Sequence, residues 1–145
     1  MLSADDLYDT RLLMTPRSRI VGIPRGSTIE AALRIAGESG YSRFPVYATD
    51  LDVIDGIVDA RDLYEARRRD GAGGIAAVVR PALVVPASRK APAVLTDMRR
   101  EQRDMALIVD EHGTVVGLVT LEDILRAIGG VIGDEIARLR VARHG

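Results

Sequence analysis

Thr120, Glu122 and Asp123 crowd one point of the chain, where an apolar strand from Gly117 to Val119 gives way to a helix starting at Leu121. Backbone N–H groups at a helix N-terminus lack intrahelical partners and carry partial positive charge, so an anion is held well there. Thr120 offers a hydroxyl to a phosphate oxygen. Asp123, one turn in, can accept hydrogen bonds from two neighbouring hydroxyls such as those of a ribose. The pairing suits a nucleotide gripped by ribose and phosphate. The same stretch also reads as a capping box, with Thr120 and Asp123 satisfying backbone donors of their own helix. The two readings are compatible, because a cap side chain can also face a ligand.

Little else in the chain has the makings of chemistry. His112 falls in a turn and His144 in the tail, and neither has a ligand partner at metal spacing. Ser39 and Ser42 have no triad context, and Glu122 and Asp123 are adjacent helix residues that cannot both face one substrate. Cysteine is absent, which excludes a disulfide framework, a thiolate metal site and a catalytic thiol. The expectation is a binding module, with neither an enzyme's active site nor a resident metal.

The elements that place Thr120 occur twice. Gly56 to Ala66 (GIVDARDLYEA) repeats the run of glycine, apolar pair, polar residue, two further residues and Asp seen from Gly117 to Asp123. In the first half, Ile20 to Ile23 reads as a strand closed by Pro24 and Gly26. Ser27 or Thr28 then caps a helix carrying Ile29, Leu33 and Ala36. Phe44 to Tyr47 and Val53 to Val58 read as strands, and Arg61 to Arg69 as a helix. The second half replays this order. Val84 and Val85 stand before Pro86, Ala91 to Glu101 is a helix, Met105 to Val109 and Val115 to Val119 are strands, and Leu121 to Ile128 is a helix. The predicted organisation is repeat 1 over 10–70, a linker at 71–77, repeat 2 over 78–136 and a tail at 137–145. The fold class is α/β, each unit running strand-helix-strand-strand-helix. Units of this size bury too little apolar surface alone, so the two are expected to pack sheet to sheet about a pseudo-two-fold axis, leaving two related clefts.

Composition agrees with a soluble globular protein, with 47% apolar and 28% charged residues. One Phe and no Trp leave the core to aliphatic side chains. A net charge of -1 with alternating signs argues against nucleic acid as a partner. The acidic start lacks a long apolar run and does not read as a signal peptide. No stretch reaches the roughly 18–20 apolar residues of a membrane span, so the chain reads as soluble and intracellular.

The duplicated unit with its Gly-x-x-Thr-x-x-Asp ending resembles a pair of CBS domains. MTPR (Met14 to Arg17), SGYSRFPVY (Ser39 to Tyr47), DEHGTVVGLVTLEDIL (Asp110 to Leu125) and GGVIGDE (Gly129 to Glu135) resemble, more narrowly, the CBS pair of the CorC/HlyC family of magnesium and cobalt efflux proteins. The resemblance implies a cytosolic regulatory module of a membrane protein, adjoining a membrane domain that is not in this sequence. It implies an adenine nucleotide, notably ATP with magnesium, with AMP or ADP as variants, and a homodimer formed through the repeat-ending helices. Carried over by residue, Thr120 meets phosphate, Asp123 the ribose, and Glu122 lies beside the phosphates. Thr15 and Ile20 border the adenine, and Tyr41, Ser42, Phe44 and Pro45 line the same cleft. Arg43 offsets phosphate charge; its alternative is a surface or dimer ion pair. Tyr41 and Phe44 have core packing as their alternative. Asp59 stands where Thr120 stands in the other repeat and would repel phosphate, so one occupied cleft per chain is expected. The rival reading is a ligand-free dimerisation module, with Leu63, Ile124, Leu125 and Ile128 on its contact surface.

Overall fold

The computed structural model describes residues 8–69 and 72–129. A short helix α1 (Thr10–Leu13) leads into β1 (Thr15–Pro16), a 3-10 turn (Arg17–Arg19) and β2 (Ile23–Pro24). Helix α2 (Ile29–Ser39), β3 (Arg43–Tyr47), β4 (Ile54–Asp59) and α3 (Ala60–Arg69) complete the first repeat. After a second 3-10 turn (Ile75–Val78) come β5 (Leu83–Pro86), α4 (Ala91–Glu101), β6 (Met105–Val109) and β7 (Val115–Thr120). Residues 121–129 form helix α5. The strand expected over Ile20–Ile23 is shorter than the sequence suggests. Only Ile23 and Pro24 pair, in parallel with Val46 and Tyr47, because residues 17–19 turn the chain immediately upstream.

Local chemistry accounts for the helices. Thr28 caps α2 by accepting from the Ala31 N–H at 3.1 Å. Ile29, Ala32, Leu33 and Ala36 fall on one buried face, and Gly40 ends the helix at φ 75°. In the second repeat Gln102 takes the matching left-handed position at φ 53° after α4. A non-glycine residue there gives up some stability relative to glycine.

The strands form a three-stranded sheet in the order β2-β3-β4 and a four-stranded sheet in the order β1-β7-β6-β5. The extra strand of the second sheet comes from the other end of the chain. Thr15 and Pro16 pair with Leu118 and Gly117 of β7. The lead-in to the second repeat returns the exchange, with Arg80 and Ile57 of β4 trading backbone hydrogen bonds of 2.8 Å in both directions. The glycines of the repeated motif sit under these crossings. A Cβ on Gly117 would lie 2.6 Å from the Thr15 carbonyl oxygen. One on Gly56 would overlap the Arg80 carbonyl oxygen and lie 2.7 Å from Val79 Cγ1.

Each repeat has its own core. One gathers Ile23, Ile29, Leu33, Phe44, Val58, Leu63 and Ile75; the other gathers Val85, Val94, Met98, Ile108, Val119 and Ile124. Between the sheets a smaller cluster joins Met105, Leu107 and Leu118 to Ile20, Ile54, Ile57 and Ala82. The helix positions expected on a dimer surface divide. Leu63 and Ile124 are 0% exposed and belong to the two cores, and Ile128 packs against the second. Leu125 remains exposed, as does Tyr64 at the matching place in α3.

One buried charge marks the second repeat. Asp97 on α4 is 4% exposed and accepts from Arg89 at 2.5 and 2.8 Å and from Arg100 at 3.0 Å. The Arg89 hydrogen bonds hold its carboxyl below the usual range against the opposing effect of burial, with Arg100 adding to the shift. A carboxylate with a depressed folded-state pKa stabilises above its unfolded value, about 3.9, and loses that contribution as pH falls toward the folded one. Urea unfolding from pH 6 to pH 2.5 should show stability dropping below about pH 4. Asp97→Asn should cost about 1–3 kcal/mol at pH 7 and flatten that acid limb; an unchanged limb would rule Asp97 out as its source.

Candidate functional site

The exchange of lead-in segments creates two clefts between the repeats, one at the head of α5 and one at the head of α3. The first has a volume of about 380 Å³ and is lined by Thr15, Arg19, Ile20, Val21, Gly40, Tyr41, Ser42, Arg43, Met105, Leu118, Thr120, Glu122 and Asp123. That size falls within the range of roughly 300–1,000 Å³ usual for small-molecule sites. Its floor is apolar, from Ile20, Val21, Met105 and Leu118, and Tyr41 stands at its edge, 52% exposed.

Thr120 and Asp123 form the reciprocal cap. The Thr120 N–H donates to Asp123 Oδ2 at 3.0 Å, and the Asp123 N–H donates to Thr120 Oγ1 at 3.2 Å. The first N–H of α5, on Leu121, donates to the Asp104 carbonyl at 2.7 Å and locks the helix head to the strand beside it. Each cap residue keeps acceptor capacity: the hydroxyl has a second lone pair and the carboxylate a second oxygen. Asp123 Oδ1 has Arg126 at 3.5 Å, an exposed pair that a ligand hydroxyl can displace at little cost.

Arg43 crosses from the first repeat to the second. Its two terminal nitrogens donate to the two Glu122 oxygens, both at 3.1 Å. Its Nε faces Asp104 at 3.5 Å and Asp59 at 3.8 Å. Nε is buried and has no hydrogen-bond partner among the described residues. Partial burial pushes the Glu122 carboxyl up, but its own backbone N–H, the Arg43 guanidinium and the Thr120 hydroxyl outweigh this and hold it below the usual range. Glu122 is therefore an anion at neutral pH, and a phosphate entering the cleft meets Arg43 already engaged with it.

Of the ten residues expected around a ligand, Thr15, Ile20, Tyr41, Ser42, Arg43, Thr120, Glu122 and Asp123 line this cleft. Glu122 and Asp123 both reach it, against the expectation that adjacent helix residues cannot face one ligand, because the cleft wraps the exposed first turn of α5. Phe44 and Pro45 do not. Phe44 is 0% exposed in the first repeat's core, and Pro45 is buried next to it in β3. Arg43, the first residue of β3, is the last of this run to reach the cleft before the strand turns into the core. Arg19, Val21, Gly40, Met105 and Leu118 were not anticipated. Met105 and Leu118 come from paired strands of the second sheet, a juxtaposition that motif spacing does not carry.

The CBS domain family matches residues 9–69 and again 74–130, one match for each half. The chain belongs to the CBS domain family. Its CBS pair is of the kind found in CorC/CNNM proteins. It is 42% identical over 133 residues to the magnesium and cobalt efflux protein CorC of Salmonella typhimurium, covering 90% of this chain and 46% of the relative. The chain thus spans about half the length of that relative. The CBS domain of the bacterial CNNM/CorC family Mg2+ transporter, solved in complex with ATP, superposes with a TM-score of 0.78 at 37% identity, covering 86% of this chain and 91% of the other. A CBS-domain pair with bound AMP from Klebsiella pneumoniae gives 0.68 at 26% identity, covering 88% and 98%. These two CBS repeats therefore have kin among transport proteins and among nucleotide-bound CBS structures. Among the described residues no helix is long and apolar enough to cross a membrane, and no group of three or more His, Asp or Glu side chains is placed to hold a metal ion. Residues 130–135 of the GGVIGDE motif lie outside the described residues.

Proposed function

We propose that the chain is the cytosolic regulatory module of a membrane protein that exports divalent cations such as magnesium or cobalt, and that it senses an adenine nucleotide. The observation that carries this reading is the cleft at the head of α5. It puts an apolar slot for a purine, a carboxylate for a ribose, and a hydroxyl with a guanidinium for phosphate within one space. Asp123 takes the ribose hydroxyls, Thr120 and Arg43 the phosphates, and the purine lies between Ile20, Tyr41, Met105 and Leu118. Magnesium is usually bound by one or two carboxylates together with substrate phosphates, and Glu122 offers it one. Support also comes from the relatives solved with ATP and with AMP. The module works as a homodimer, with Tyr64 and Leu125 as its exposed apolar contacts. Because the cleft is built from both repeats, a ligand that prefers one arrangement of them shifts the balance by its difference in affinity.

A second reading is favoured by a specific observation. The reciprocal Thr120–Asp123 cap and the Arg43–Glu122 pair engage most of the site's polar groups without any ligand, Arg43 Nε excepted. On that reading the pair is a structural coupling element. Calorimetric titration with ATP, ADP and AMP, with and without magnesium, separates the two. Saturable binding of one nucleotide per chain is expected, strongest for ATP with magnesium; heat indistinguishable from dilution at millimolar nucleotide would leave the coupling role standing.

A further inference from the structure

Two cations line the cleft at the head of α5, Arg19 and Arg43. Arg43 is already engaged. Its terminal nitrogens hold the two Glu122 oxygens, both at 3.1 Å, and its Nε faces Asp104 and Asp59. The other carboxylate of the cleft, Asp123, has Arg126 beside it. Arg19 is exposed and makes no ion pair among the described residues. Among those residues it therefore brings to this cleft a positive charge that no protein anion at ion-pair distance offsets.

The backbone under Arg19 is fixed by its neighbours. Arg17 opens the same 3-10 turn, pairs with Asp52 at 2.5 Å and donates to the Val115 carbonyl at 2.9 Å, which ties the turn to the second repeat. The Ile20 N–H closes the turn on the Arg17 carbonyl at 3.1 Å. Ile20 then packs its side chain with Met105 and Leu118 on the cleft floor. Arg19, one residue earlier and exposed, is left at the rim.

We propose that Arg19 reads the length of the phosphate chain: it meets the phosphates beyond the first and makes the cleft prefer ATP to AMP. The inference rests on the reading that this cleft takes an adenine nucleotide, and it names the side chain that sets which one. A first phosphate at the head of α5 has the Thr120 hydroxyl to receive it. Each further phosphate brings more negative charge toward Glu122 and Asp123, and needs a cation not already held by a carboxylate. Arg43 serves only by sharing its guanidinium with Glu122. Arg19 has its whole guanidinium to offer, and a planar fork of donors suits a phosphate gripped at two points.

The test is calorimetric titration of the full chain, Arg19→Gln and Arg19→Lys with ATP, AMP, adenosine and inorganic tripolyphosphate, magnesium present throughout. The parent is expected to bind ATP more tightly than AMP. Arg19→Gln should weaken ATP about tenfold, the size of one charge-assisted contact, and leave AMP and adenosine as in the parent. Arg19→Lys keeps the charge and loses the fork, so its ATP affinity should fall between the two. Circular dichroism of both variants should match the parent, because the side chain is exposed. A loss shared equally by AMP or adenosine, an unchanged ATP affinity, or a parent that binds ATP and AMP alike overturns the proposal and leaves the cleft a nucleotide site. A parent that takes tripolyphosphate but no nucleotide, with that binding lost in Arg19→Gln, supports Arg19 as the polyphosphate's partner and overturns the nucleotide reading. A parent that binds none of the four overturns both.

Discussion

Gly56→Ala is expected to lower the unfolding free energy by about 2–3 kcal/mol, in the range of overpacking a closed site. For a chain of this size that amounts to a fall in Tm of about 5–10 °C. The added methyl would overlap the Arg80 carbonyl oxygen and crowd Val79 Cγ1, at 2.7 Å, so the crossing segment must retreat. Both backbone hydrogen bonds between Arg80 and Ile57 depend on that closeness. Gly37→Ala is the control, because Gly37 sits inside α2 with nothing within 4 Å of the added atom. There alanine should stabilise by about 0.5–1 kcal/mol through helix propensity. Thermal unfolding of both variants decides the matter. Equal and small effects would mean that the glycines of the repeated motif are not there to admit the crossing strand.

Asp123→Ala should weaken ATP binding by about a hundredfold, since two hydrogen bonds to a charged acceptor contribute about 1.5 kcal/mol or more each. It also removes half of the reciprocal cap, the contact from the Thr120 N–H at 3.0 Å, at a stability cost of about 1 kcal/mol. The two losses separate experimentally, because melting reports the cap and calorimetry at a temperature well below the transition reports the ligand. Parent-like affinity in a variant that melts only slightly earlier would remove Asp123 from the binding site and leave it as a cap alone.

Much of the architecture is written in local signals. Thr28 before Ile29, Gly40 after Ser39 and the continuous apolar run of β6 are chemistry legible in the residues themselves. The duplicated Gly-x-x-polar-x-x-Asp run marks two equivalent helix heads, and those heads do face the two clefts. What stays hidden is partnership across the repeats. The short strand Thr15–Pro16 has no pattern of its own and exists because β7 receives it. Arg43 and Phe44 are neighbours in a motif, yet one crosses to Glu122 and the other enters a core. Arg80 belongs to no sequence motif, and its pairing with Asp62 comes only with the fold.

The pairing of Thr15 with Leu118 also sets an order of events during synthesis. The first sheet has its borrowed edge as soon as Arg80 emerges, soon after its own strands. The second must be joined by Thr15 and Pro16, made before any strand of the first sheet, with that whole sheet lying in between. Contacts so distant along a chain are slow to form. As the two repeats emerge, Thr15 and Pro16 therefore wait, unpaired, until β7 follows.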